Sequence, residues 1–351
     1  MSVRVRFAPS PTGSLHLGNA LTAAANRRFA DERDGILVLR IDDTDPARTL
    51  EGGEEAILDD LRWLGIGWDE GPVRQSERAA LYADAAGRAL ERGAVTDPDG
   101  AIRLGHTTLL RPGGTATYQL ASVADDLSLG ITHVIRGSDH RPNEAVQQLI
   151  ARALGGELPE VLHHGLLLGD DGRKLSKRHG AVSVAELRDG GVPAAAVRSY
   201  LEDLGLPAHD VRLDRARIGR LAIDAIAAMP DEELAAVAGV PAGYAQALRG
   251  ARTLVEAEQL GRQLVDPEPV SLPPAATPTL ERFVELRAGA GELDEAGARA
   301  IVRELKAVGG DLRALRLALT GAESGPALGA VVAALPSDEA VERARRAQVS
   351  D

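Results

Sequence analysis

The sequence predicts an α/β protein, with a parallel-sheet domain over residues 1–205, a small irregular insert near 94–117 and an all-α region over 206–351. Three observations carry this prediction. First, Val3, Val5 and Phe7 alternate as in a strand, residues 20–30 are alanine-rich as in a helix, and Ile36 to Ile41 is an apolar run broken only by Arg40. Such strand-helix-strand order, with a strand covered on both faces, argues for a parallel sheet whose ligands gather at the strands' carboxyl ends. Second, past about Leu206 the composition shifts to alanine-rich helical patterns with no strand signal. Third, a chain of 351 residues can bury two or three separate cores.

The elements can be justified in order. Between the first strand and helix, Pro9, Pro11 and Gly13 forbid regular structure, so a loop is held open there and His16 and Gly18 fall at the start of the helix. A helix amino terminus offers unpaired N–H groups and partial positive charge, and a glycine lets an anion approach the backbone. Taken alone, His16 and Gly18 fit a solvated strand-turn-helix corner equally well. Gly35 suits a helix stop. Asp42, Asp43 and Asp45 follow the second strand, and Asp43 and Asp45 read as turn and capping residues. Residues 52–64 and 76–92 read as amphipathic helices, with Ile57, Leu58, Leu61 and Leu64 at helical spacing. Trp63 and Trp68 read as core.

From Ala94 to Thr117 the pattern dissolves into Gly, Pro, Thr and Arg. Ile131 to Ile135 is strand-like and delivers Arg136 to the carboxyl-end rim, where an arginine can hold a carboxylate through two parallel hydrogen bonds or pair with a neighbouring aspartate. His140 and Asn143 are placed to cap a helix running through Gln147 to Leu154. Val161 to Leu168 reads as another strand, with His163 and His164 at the core edge; no third ligand stands at metal-binding spacing. The chain has three lysines among 40 basic residues, and two of them, Lys174 and Lys177, fall in one short stretch with Arg178. An ammonium is a compact point charge on a flexible stem, suited to closing over a polyphosphate; a solvated basic turn is the alternative. Five prolines between Pro267 and Pro278 mark a connection.

Composition narrows the function classes. The net charge of −12 argues against indiscriminate nucleic-acid binding, although a local arginine patch could seat one RNA. Nine aromatic residues are too few for binding single strands by serial base stacking. With no cysteine there is neither a disulfide nor a thiolate metal site. No apolar run is long enough for a bilayer and no leader pattern opens the chain, so a soluble, cytoplasmic protein without a membrane partner is expected.

Pro9-Ser-Pro-Thr-Gly-Ser-Leu-His16-Leu-Gly18-Asn resembles the first signature of class I aminoacyl-tRNA synthetases in the glutamyl form, and Lys174-Leu-Ser-Lys-Arg178 resembles the second. Three intermediate stretches agree, starting at Arg40, Trp63 and Gly130, and the resemblance covers about the first 205 residues. It implies a Rossmann-like catalytic domain that joins glutamate to tRNA(Glu) in two steps, with ATP and Mg2+; a monomer is expected. By the same resemblance His16, Lys174 and Lys177 are catalytic. Gly13, His16, Gly18, Asp139, Leu167, Lys177 and Arg178 bind ATP, and Arg6, Ala8, Ser10, Asp42, Tyr118 and Arg136 bind the amino acid. No protein metal ligand is implied.

Four departures qualify these expectations. Asp42 stands where bacterial glutamyl enzymes have glutamate, Ser122 where relatives often have asparagine, and the insert is about a third of the family's acceptor-binding domain. The helical region after residue 206 is similar in its last helices to bacterial glutamyl-tRNA synthetases but short of two anticodon-binding domains. A trimmed paralogue that loads glutamate or an analogue onto a modified tRNA base, small molecule or carrier is the second reading. A non-catalytic RNA-binding or regulatory protein is the third.

Overall fold

The computed structural model describes residues 2–169, 171–173, 175, 182–291 and 293–347. The chain divides into two compact units, Met1–Leu187 with Arg198–Asp214, and Arg188–Val197 with Arg215–Asp351. In chain order the first unit contains β1 (Arg4–Phe7), α1 (Leu17–Asp31), β2 (Ile36–Ile41), α2 (Gly53–Trp63), β3 (Glu70–Arg74) and α3 (Ala79–Leu90). There follow β4 (Val95–Thr96), β5 (Ile102–Leu104), β6 (Thr107–Leu110), α4 (Tyr118–Ser128), β7 (His133–Gly137), α5 (Glu144–Ala153), β8 (Glu160–His164), β9 (Leu167–Leu168) and β10 (Val211–Arg212).

The α/β architecture is the expected one. β1 pairs with β2 and β2 with β3, all parallel, and β7 pairs in parallel with β8. β1 and β7 lie side by side where the Thr132 N–H donates to Arg4 O at 2.9 Å. The chain therefore winds outward from β1 in one direction through β2 and β3, and on the other side through β7 and β8. A switch point of this kind leaves a crevice at the strands' carboxyl ends. Val5, Leu21, Leu37, Leu39, Ile41, Ile57 and Leu61 are all buried, so the apolar spacing that predicted strands and helices does mark the core. α1 starts three residues before the alanine-rich run, because His16 caps it.

Three expectations are corrected. The insert is folded rather than irregular: β4, β5 and β6 form an antiparallel sheet, and Leu104, Leu109 and Leu110 pack with Tyr82, Leu120 and Ile150. Its glycines serve turns, as Gly105 at φ 58° does between β5 and β6. Strand structure also extends past Leu206, since β10 pairs in parallel with β9 and carries the first unit to Asp214. A two-residue strand is too short to show periodicity, and its partner lies far back in the chain. Finally, the single strand expected over residues 161–168 is broken between His164 and Leu167.

The second unit is helical from Arg215 onward, as expected, around Leu280, Phe283, Leu315, Leu319, Val331 and Val332. Buried Arg343 donates to Leu319 O and Leu264 O, each at 2.8 Å, near the carboxyl ends of helices Leu312–Thr320 and Leu254–Val265. A cation there satisfies terminal carbonyls and complements the helix dipoles. No helix among the described residues is long and apolar enough to cross a membrane.

Candidate active site at the carboxyl ends of the parallel strands

β1 runs into the Ala8–Leu15 loop, which is tied down by backbone and by one buried acid. Asp42 N–H donates to Pro9 O at 2.9 Å and Leu50 N–H to Pro11 O at 3.0 Å. Asp60 of α2, fully buried, accepts from Ser14 Oγ at 2.6 Å and Leu15 N–H at 2.7 Å. Gly13 takes φ 95°, a conformation that favours glycine. Gly53, at the start of α2, lies so close that a Cβ there would collide with Pro11 O. The loop is thus fixed from beneath, and it delivers His16 to the N-cap of α1, where Nδ1 accepts from Asn19 N–H at 3.2 Å.

A Cβ on Gly18 would stand 3.1 Å from His16 Nδ1 and 4.0 Å from Leu167 Cβ. The structure thereby brings His16, Gly18 and Leu167 to one place at a helix amino terminus. Next to them, His164 Nε2 is 3.0 Å from Thr22 Oγ1 of α1, and burial first of all holds its imidazole below the ordinary histidine range. Asp139 folds back over Gly137, with His140 Nε2 at 3.8 Å from its carboxylate. A phosphate at this corner would meet backbone N–H groups and the positive end of α1.

The other side of the site is built on buried charge. Arg40, completely buried on β2, donates from Nε to Asp42 Oδ1 at 2.7 Å, from Nη2 to Asp42 Oδ2 at 3.2 Å and from Nη1 to Asp126 Oδ1 at 2.8 Å. Burial by itself would lower the Arg40 pKa; the charges of Asp42 and Asp126 outweigh it and raise the value instead. Arg6 Nε reaches the same Asp126 oxygen at 3.2 Å. Asp125 accepts from Gln75 Nε2 at 2.8 Å, Arg78 Nε at 2.7 Å and Tyr82 OH. Arg6 and Arg40 are therefore matched by Asp126 and Asp42.

Arg136 is not matched in this way. It is 6% exposed, and only Nη1 is engaged, donating to Gln147 Oε1 at 2.8 Å. Nε and Nη2, the two nitrogens along one edge of the guanidinium, are buried without a hydrogen-bond partner among the described residues. Burial, and then the nearby Arg6 charge, pull its pKa down from the ordinary value. Those two N–H groups form the fork that fits both oxygens of a carboxylate, as Arg40 shows on Asp42. Tyr118 opens α4 nearby; burial, then Asp42, raise its pKa, so its hydroxyl stays protonated and can donate.

The positions of the expected residues follow from this. Arg6, Asp42, Tyr118 and Arg136 belong to one electrostatic neighbourhood, with half-buried Ala8 and Ser10 just beyond β1. His16, Gly18 and Leu167 form the second group. Lys174, Lys177 and Arg178 lie outside the described residues. Both oxygens of Asp42 are already occupied by Arg40, so an incoming ammonium could use only its remaining lone pairs. Asn143 is not the side-chain cap expected of it: residues 138–143 form a 3-10 turn, and Asn143 Oδ1 instead accepts from Gln119 Nε2 at 3.1 Å. Asp43 occupies no helix N-cap; it accepts from the distant Ser76 N–H at 2.8 Å.

Sequence reading missed Arg40, Asp60, Asp126 and Gln147. Asp60 carried a signal, since it lies on the same helical face as Ile57, Leu61 and Leu64, and so did Arg40, the one charge in the apolar run Ile36–Ile41; Asp126 and Gln147 carried none. Among the described residues no group of three His, Asp or Glu side chains could hold a metal ion. A cleft of about 660 Å3 lined by Phe29, Leu64, Ile66, Leu201 and Leu206 contains none of these residues.

Fold and site together define an α/β ligand-binding domain with an anion corner at a helix amino terminus and an arginine fork open to a carboxylate. Residues 2–99 and 96–219 match the model for tRNA synthetases class I (E and Q), catalytic domain. Glutamate–tRNA ligase 1 of Rubrobacter xylanophilus is 48% identical over 58% of this chain and 54% of its own length. Glutamate–tRNA ligase 1 of Methylobacterium sp. is 33% identical over 98% of each chain. The crystal structure of a glutamate tRNA ligase from Elizabethkingia meningosepticum, in complex with its amino acid, has the same fold at TM-score 0.76 and 22% identity over 99% of each chain. This chain belongs to the class I (E and Q) tRNA synthetase family. With several curated relatives, such as that of Rubrobacter xylanophilus, the match spans only about half of the relative's length.

Proposed function

We propose that this chain is an ATP-dependent glutamate–tRNA ligase, acting in the cytoplasm as a monomer. The observation that carries the reading is the buried Nε/Nη2 edge of Arg136, unpaired among the described residues, beside Arg6 and Tyr118. A permanently charged fork held dry and without a carboxylate is costly unless a ligand supplies one. The names of the relatives supply the amino acid, glutamate, whose side chain ends in that group.

The chemistry needs no general base, because a carboxylate is already a nucleophile at neutral pH. An oxygen of the α-carboxylate attacks the α-phosphorus of ATP in line, the P–O bond to the β-phosphate breaks, and pyrophosphate leaves with its electron pair. The protein's work is positioning and charge neutralisation. Arg136, with Arg6 and Tyr118, holds the side-chain carboxylate, Asp42 meets the ammonium through its remaining lone pairs, and Ala8 and Ser10 line this side. His16 and the N–H groups near Gly18 stabilise the phosphate, with Gly13 keeping the loop open; Asp139 and Leu167 flank the nucleoside. Lys177 closes over the departing pyrophosphate with Lys174 and Arg178 supporting. Mg2+ bound with the nucleotide would neutralise charge on the phosphates. In the second step a ribose hydroxyl of the tRNA terminus attacks the acyl carbon and AMP departs.

Pyrophosphate exchange with each amino acid, with and without tRNA, tests the first step. Exchange with glutamate is expected, and none with any amino acid under either condition would refute an enzyme and favour a non-catalytic RNA-binding role. A second reading, transfer to another acceptor, is favoured by the insert, whose three strands occupy only Val95–Leu110. Charging of bulk tRNA separates the two, since a glutamyl group on the terminal ribose protects that end from periodate and one placed elsewhere does not.

A further inference from the structure

Arg136 of β7 and His163 of β8 are register partners in a parallel pair, so their side chains rise from the same face of the sheet. Around them Arg136 Nε and Nη2, Gln147 Nε2 and His163 Nε2 are all buried, and none has a hydrogen-bond partner among the described residues. The His163 side chain is only 7% exposed. Buried polar atoms in folded proteins are nearly always paired, so four unpaired atoms in one neighbourhood mark the wall of a polar ligand's pocket. Three of them are donors in every protonation state. The fourth, on the imidazole, can match either a donor or an acceptor.

We infer that His163 is a specificity-determining residue of this pocket, its Nε2 hydrogen-bonded to an oxygen of the ligand carboxylate that Arg136 grips. The inference rests on the assignment of Arg136 to a carboxylate and adds a second reader of that group. Gln147 acts behind it as a positioning residue, since its Oε1 fixes Arg136 Nη1 and leaves the opposite edge turned to the ligand.

The surroundings make this reader sensitive to charge. Burial, then Arg136 on β7, keep His163 below the ordinary histidine pKa; Arg141 and its neighbour His164 push the same way, and Glu144, 3.9 Å from Nδ1, opposes them. A bound carboxylate at Nε2 adds negative charge that acts in the same direction as Glu144, so it raises the pKa of His163 above the value in the free protein. Between those two values binding takes up a proton, and affinity for glutamate falls as pH rises through the bound-state pKa. Glutamine brings a neutral amide to the same place and takes up no proton.

Calorimetric titration of the full chain with glutamate near pH 6 and pH 8, in buffers of different ionisation heat, measures this directly. The wild type is expected to take up a fraction of a proton near the lower pH, and His163→Gln none. His163→Phe, which has no donor, is expected to weaken glutamate about ten- to hundredfold in KM with kcat within about twofold, and His163→Gln to recover most of that loss. Buffer-independent heats in the wild type, or unaltered glutamate KM in His163→Phe, would overturn the inference while leaving glutamate as the substrate. Failure of the wild type to bind or activate glutamate would overturn both.

Discussion

Replacing Arg136 and Gln147 together by methionine should make the chain more stable while sharply weakening its use of glutamate. The two side chains are buried, with Arg136 Nε and Nη2 and Gln147 Nε2 unsatisfied among the described residues. Each such group costs about 1–3 kcal/mol, whereas the one hydrogen bond lost, Arg136 Nη1 to Gln147 Oε1, contributes about 1 kcal/mol. Methionine is unbranched and fills the space of either side chain approximately. Taking the low end for each group, the double variant gains about 2 kcal/mol. For a unit of this size that is about 4–8 °C in Tm. Activity moves the other way: loss of a buried charged partner of a carboxylate is worth about 2–5 kcal/mol, or about thirtyfold to several thousandfold in glutamate KM. Urea and thermal unfolding measure the first effect and pyrophosphate exchange the second. A double variant less stable than the wild type by more than about 1 kcal/mol would refute the reasoning, because it would show that the fork supports the fold rather than awaiting a ligand.

Three further outcomes are expected. Arg40→Met removes the cation from both oxygens of Asp42, while Asp126 keeps Arg6, and should cost about 3–5 kcal/mol near neutral pH in urea unfolding. Burial already raises the Asp42 pKa, and losing Arg40 raises it further; a raised carboxyl loses stability as pH rises through its folded value, so the deficit should shrink in acid and largely vanish with Asp42→Asn. Gly53→Ala should push the Pro11–Gly13 backbone aside, costing about 1–3 kcal/mol and raising KM for ATP in exchange assays, whereas Gly67→Ala, which meets nothing within 4 Å, should do neither. His164 is held below the ordinary range mainly by burial, so its contribution is present above the unfolded value near 6.5 and is lost as pH falls toward the folded value. His164→Gln should flatten that part of the stability profile, read as unfolding free energy against pH.

Much of this molecule was legible because its signals are local. The alternation at Val3, Val5 and Phe7, the apolar run to Ile41 and the loop-to-helix step at His16 each depend on neighbours within a few residues, and each forms as expected. The short strands were not legible: Val95–Thr96 and Val211–Arg212 have two residues each, a single strand period with no repeat to reveal it. They exist because pairing partners elsewhere in the chain accept their backbone groups. Asn143 illustrates the reverse case, a residue type suited to capping whose side chain is drawn instead to Gln119 on another helix.

The sequence by itself determined the class of fold, the anion corner at the first helix and the arginine delivered to the end of the seventh strand, since backbone preference and residue chemistry act over short stretches. Tertiary structure alone decided which charges are cancelled. Arg6 and Arg40 find Asp126 and Asp42, and among the described residues Arg136 finds only an amide oxygen. Pairing of that kind depends on distances between residues far apart in the chain and on the exclusion of water around them, and neither is written in the order of the amino acids.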